Sequence, residues 1–135
     1  MIELVSPGNK DRRRSIQQFV DKAADLLDQG VNLLVVDLFP PGPRDPHGVH
    51  GLIADEFDES AGFRLPPGRP LTVASYMAGF GTQAFVDNLA VGDRLPDAPL
   101  FLTDEEYVPC PLEATYQQAF DVLPRSIKAD LTREG

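Results

Sequence analysis

A single cysteine, no tryptophan and two histidines leave this chain few residues for covalent, redox or soft-metal chemistry. One thiol cannot form an internal disulfide framework or a thiolate zinc cluster. Cys110 stands between Pro109 and Pro111 with no histidine nearby to activate it, which marks it as structural or incidental. His47 and His50 are three residues apart without a third ligand at close spacing, so they do not make a zinc motif. Positive charge is also scarce. Twelve Lys and Arg stand against 21 Asp and Glu, giving a formal net charge of −9, and this disfavours a nucleic-acid partner, whose affinity rests on clustered cations. No apolar run approaches the ~18 residues of a membrane span, and no leader pattern opens the chain, so a cytoplasmic location is expected. Walker, G-x-G-x-x-G, nucleophile-elbow and His-Glu-x-x-His signatures are all missing.

What the chain does have is a core. Its 135 residues are 42% hydrophobic, enough for one domain spanning 1–135 and too short for two. Ile2 to Val5 reads as a strand with one acid, Glu3, among apolar residues, followed by a polar loop from Ser6 to Asp11. Ile16, Phe19, Val20, Ala23, Leu26 and Leu27 fall on one helical stripe, with Asp11 placed to cap it and Gly30 to end it. Leu33 to Leu38 is apolar on both faces, as in a strand covered by helices, so the first 38 residues predict a right-handed βαβ unit. A loop from Phe39 to Gly48 with four prolines follows. Val49 to Phe57 suits a short helix, and 58–70 an irregular insert. Leu71 to Ala78 and Ala84 to Val86 predict a hairpin, Pro99 to Leu102 an edge segment, and Leu112 to Leu123 a second amphipathic helix. The fold class expected is α/β (α+β), with a mixed sheet.

Several residues invite a chemical reading. A carboxylate midway along an apolar strand needs a partner, because an unpaired buried charge is costly. Glu3 therefore either ligates a hard cation such as Mg²⁺ or pairs with a basic side chain. Lys22 lies at the margin of the helical stripe, beside Ser15 and Gln18, where it either reaches toward the strand ends or snorkels to solvent. Asn9 and Lys10 sit in the loop before the helix, a place suited to an anion or to a plain turn and cap. Arg12, Arg13 and Arg14 read as a solvated first turn. Asp37, ending the second strand, is placed to ligate a metal or to anchor the proline-rich loop.

The ordered set Glu3-Leu-Val-Ser-Pro-Gly-Asn-Lys10, Phe19-x-x-Lys22, Gly30-Val31 and Leu-Val-Val-Asp37-Leu38 resembles bacterial restriction-endonuclease-like families of unknown function. Among these are the Uma-two endonuclease-like group and a group with the pattern E-x-L-S-P-x-N-K. Asp37-Leu38 with Gly42-Pro43-Arg44 resembles the second group, as does the stretch from Leu89 through Gly92, Leu95-Pro96 and Pro99-Leu100 to Pro111-Leu112-Glu113 and Tyr116. The resemblance implies a PD-(D/E)XK core: a mixed sheet, an Mg²⁺ held by acids on adjacent strands, and a lysine that orients the attacking water. By position Glu3 matches the strand acid and Lys22 a lysine displaced to the helix, with Asp37 as second acid. Two departures stand out. Val5 occupies the usual lysine position, and the family's first acid belongs to a strand upstream of Glu3, so a truncated core is expected.

The resulting expectation is a nuclease-like domain, a degenerate Mg²⁺-dependent phosphodiesterase with Glu3, Lys22 and Asp37 as catalytic residues and Glu3 and Asp37 on the metal. The alternative is a non-enzymatic interaction domain that forms a homodimer through an exposed sheet edge. An anion binder at Ser6 to Lys10 is a third reading.

Overall fold

The computed structural model describes residues 1–60, 62–79, 81–103 and 105–114. The expected helix over Leu112 to Leu123 lies almost wholly outside them. Along the chain run β1 (Ile2–Leu4), α1 (Pro7–Lys10), α2 (Arg13–Asp28), β2 (Leu33–Asp37), α3 (Gly48–Phe57), β3 (Leu71–Met77), β4 (Gln83–Leu89), β5 (Asp97–Phe101) and β6 (Tyr107–Pro111). The fold is mixed α/β. A four-stranded sheet has the order β1-β2-β3-β4, with β1 parallel to β2 and the other neighbours antiparallel, and β5 and β6 form a separate two-stranded sheet.

α2 follows from its apolar spacing, which buries Ile16, Phe19, Val20, Ala23 and Leu27 on one side. Its end is a Schellman turn. Gly30 at φ 84° lets its own N–H reach the Leu27 carbonyl and the Val31 N–H reach that of Leu26. The N-terminus departs from expectation, because Arg12 and not Asp11 holds the cap position and no side chain caps it. Asp11 instead closes α1, the short turn into which the polar loop folds, and there Asn9 Oδ1 accepts from both Ser6 N–H and Ser6 Oγ–H at 2.8 Å.

β2 is buried along its whole length because both faces are covered. Leu33 and Val35 join Val5, Phe19, Val20, Val49 and Ile53 under the helices. Leu34 and Val36 turn the other way and pack with Val73, Leu95, Ala98 and Leu112 under the small hairpin. β1 receives only half of this cover. Glu3 and Val5 point toward α2, whereas Ile2 and Leu4 stay 47% and 67% exposed on the opposite face.

β5 and β6 pair where only one edge segment, Pro99 to Leu102, is expected, and the ladder holds three prolines, a residue that strands usually exclude. The geometry removes the objection. Leu102 N–H donates to the Glu106 carbonyl. Counting back by twos along the antiparallel register, Pro99 opposite Pro109 and Asp97 opposite Pro111 are pairs that exchange no hydrogen bonds. Each proline nitrogen thus faces away from the partner strand, and the ladder loses nothing. Cys110 stands opposite Ala98, partly buried against the second core, in keeping with a structural role.

Asn32 links three elements just before β2. Its Nδ2–H donates to the Phe101 carbonyl at 2.9 Å and its Oδ1 accepts from Ala78 N–H at 2.8 Å. Asn32→Ala would strand both backbone groups and should cost about 1–3 kcal/mol, read as a lower urea midpoint at unchanged slope.

Candidate functional site

Two lysine–carboxylate centres lie along the β1–β2 pair, one at the end of β2 and one beside the middle of β1. The first is buried. Lys10, at the end of α1, sends its ammonium inward to Asp37 Oδ1 at 3.0 Å, Asp45 Oδ2 at 2.7 Å and the Phe39 carbonyl at 2.8 Å. With two carboxylates and a carbonyl around it and its side chain only 10% exposed, the Lys10 ammonium is not available to a solvent anion. Of the two readings of Asn9 and Lys10, Asn9 takes the turn-and-cap role, and the anion reading of Lys10 gives way because a pair of buried carboxylates holds its charge.

Asp37 and Asp45 are only 2% and 1% exposed. Asp37 Oδ1 also accepts Phe39 N–H at 3.2 Å, and Oδ2 accepts Val49 N–H at 3.3 Å. The latter places its negative charge at the N-terminus of α3, where the helix dipole favours it. Gly48, at φ 77°, takes the left-handed backbone conformation that leads into α3 and that residues with a side chain rarely adopt. Asp45 Oδ1 accepts Gly42 N–H at 2.9 Å. Burial pushes the Asp37 carboxyl above its ordinary pKa, and the adjacent Lys10 ammonium pulls it back without cancelling the effect. Asp45 was missed in the sequence. The only signal for it was an acid inside the proline-rich loop, next to Pro46.

The second centre is open to solvent. Glu3 on β1 and Lys22 on α2 meet at 2.8 Å, with the Lys22 side chain 59% exposed. Beside them runs a shallow groove of about 350 Å³, bordered by Leu4, Asn9, Ser15, Gln18 and Phe19. The pair contributes little to stability, as exposed ion pairs do. Arg12, Arg13 and Arg14 are exposed nearby along the first turn of α2.

Glu3 and Lys22, expected together by resemblance, are therefore neighbours, while Asp37 belongs to the other centre. Glu3 is in register with Val35, so Asp37 lies two residues further, roughly 6.5 Å along the strand. Each acid already holds its own lysine. Among the described residues no group of three or more His, Cys, Asp or Glu is gathered so as to hold a metal ion. Glu3 and Asp37 are each engaged by a lysine ammonium, Lys22 and Lys10 respectively, and the Lys10 ammonium lies between Asp37 and Asp45.

The histidines serve the layer beneath α3. His47 Nδ1 accepts Leu65 N–H at 3.2 Å, and Nε2 faces Arg64 at 3.3 Å. His50 is buried, with Nδ1 on the Tyr76 hydroxyl at 2.5 Å and its ring edge-on to Phe63. Burial lowers the His50 pKa from 6.5 to about 4 and pushes the Tyr76 hydroxyl up, the nearby Asp37 charge adding to the latter.

No family model, curated protein or solved structure matches the chain. Among the described residues no helix is long and apolar enough to cross a membrane.

Lys10→Met would leave two buried carboxylates facing each other. It should lower stability by about 3–5 kcal/mol at neutral pH, with part recovered on acidification as Asp37 takes up a proton, measured by urea unfolding at several pH values. His50 generates a separate prediction. Between pH 6.5 and about 4 the unfolded chain binds a proton at this residue and the folded chain does not, so stability falls as the solution is acidified through that window. The full effect is about 3 kcal/mol. Asp37, with its raised pKa, slopes the opposite way, so the comparison is against His50→Gln, which should lose less stability than the parent between pH 7 and pH 5.

Proposed function

We propose that this chain is a non-enzymatic, self-associating domain on a restriction-endonuclease-like scaffold, in which lysines occupy the positions that cations would need. The observation that carries it is the open outer edge of β1. Met1 C=O accepts from Leu34 N–H and Val5 N–H donates to Val36 C=O, so the odd positions spend their backbone groups on β2. By the alternation of a strand, the N–H and C=O of Ile2 and Leu4 point away from it, unpaired among the described residues, and the exposed Ile2 and Leu4 side chains adjoin them. An unpaired edge flanked by apolar surface is a template for another strand.

The lysine-bound acids support the non-enzymatic part. Hydrolysis of a phosphodiester through a metal needs a carboxylate set free to hold it. Here Glu3 is bound to Lys22, and Asp37 to Lys10.

Leu4→Pro is the discriminating variant. It removes an N–H that faces outward and leaves the β1–β2 ladder intact. Sedimentation equilibrium should show a dimer for the parent and a monomer for Leu4→Pro of similar melting temperature. A parent that stays monomeric at all concentrations, or one that cleaves DNA or RNA when given Mg²⁺ or Mn²⁺, would overturn the proposal.

A further inference from the structure

We infer that the strand added at β1 is the β1 of a second copy, antiparallel about a twofold axis through Glu3, with Lys22 of each copy shared between its own Glu3 and that of the partner subunit. The inference rests on the self-association proposed above and names its partner and register.

The backbone selects the register. In an antiparallel pair two directly opposed residues exchange both hydrogen bonds, or neither. The outward groups belong to Ile2 and Leu4 alone within β1. Placing Ile2 against the partner's Leu4, and Leu4 against the partner's Ile2, satisfies all four; pairing Ile2 with the partner's Ile2, or Leu4 with the partner's Leu4, satisfies half. This choice also sets the two exposed apolar side chains against each other across the junction, on the face away from α2.

The same register brings Glu3 directly opposite the partner's Glu3, in the close, non-bonded site with Cβ atoms about 4.5–5.5 Å apart. Two facing carboxylates would repel, and this is where the exposed centre acquires a use. Each copy contributes one carboxylate and one ammonium, 2.8 Å apart and on the same side of the sheet. Two such pairs related by a twofold axis form a square of alternating charge, self-complementary as an isologous interface requires. Lys22 has the room to act, because its side chain is largely exposed and borders the groove beside β1. The buried side of α2 rests on Val5 and on Leu33 and Val35 of β2, and an open groove separates its flank from Glu3 and Leu4.

The test uses the full chain in a Cys110→Ser background. Lys22→Glu places four carboxylates at the junction and should raise the dimer dissociation constant about tenfold or more, while Glu3→Lys with Lys22→Glu restores the alternating square and should recover dimerisation. Glu3→Cys should form an intersubunit disulfide under mild oxidation, and Ile2→Cys alone should not, because Ile2 faces the partner's Leu4. If Leu4→Pro abolishes the dimer but the charge variants change nothing and Ile2→Cys crosslinks in preference to Glu3→Cys, this register is wrong and self-association stands. If the parent is a monomer, both fall together. Melting temperatures separate a lost interface from a lost fold, and crosslinking at Glu3→Cys reads the register whatever the fate of Lys22→Glu.

Discussion

The Lys10 ammonium, shared between Asp37, Asp45 and a backbone carbonyl, is the contact on which the arrangement of the helical layer depends. It joins three parts of the chain that have little else in common: the end of α1, the end of β2, and the proline-rich loop. Asp37 passes the constraint onward by accepting Val49 N–H at the start of α3. Removing two carboxylates from water carries a large desolvation cost, and only a full set of hydrogen bonds offsets it. Both Asp37 oxygens and Asp45 Oδ1 have such partners, whereas Asp45 Oδ2 has the Lys10 charge beside it and no hydrogen bond of its own. The proline-rich loop closes on itself through Gly42, Asp45 and Gly48, and the buried Lys10 charge ties that turn to the end of β2.

The two lysine–carboxylate centres differ in physics more than in composition. In the buried one, low polarity makes each interaction strong and each missing partner costly. In the exposed one, solvent and salt screen the same pair of groups, so Glu3 and Lys22 can exchange partners at small cost. The first is suited to holding a fold, the second to recognising something.

How much of this was legible in the sequence varies with the range of the interaction. The βαβ unit was readable because its signals are local: a helical stripe, a glycine stop, and a strand apolar on both faces. α3 and the β3–β4 hairpin were readable on the same grounds. β6 was hidden because Pro109 and Pro111 forbid a strand only when their nitrogens face a partner, and facing is a property of register. At the site, Glu3 stood out as an acid needing a partner, resemblance joined it to Lys22, and Asp37 stood out at the end of its strand as a metal ligand or an anchor for the proline-rich loop. That its partner would be Lys10 with Asp45 could not be read, since all three lie in loops or element ends and no periodicity relates them. Lys10 looked like a surface cation because the acids that draw it inward are distant in sequence.

The prolines of the small hairpin have a further consequence for assembly. Their nitrogens face outward, so Pro99 on one side and Pro109 and Pro111 on the other remove donors from both outer rims of β5–β6. A strand that tried to dock there would find gaps in its ladder. The second sheet is thereby poor material for growth, whether orderly or amyloid-like. The prolines thus close the rims of the small sheet to strand addition, a limit that the four-stranded sheet does not share.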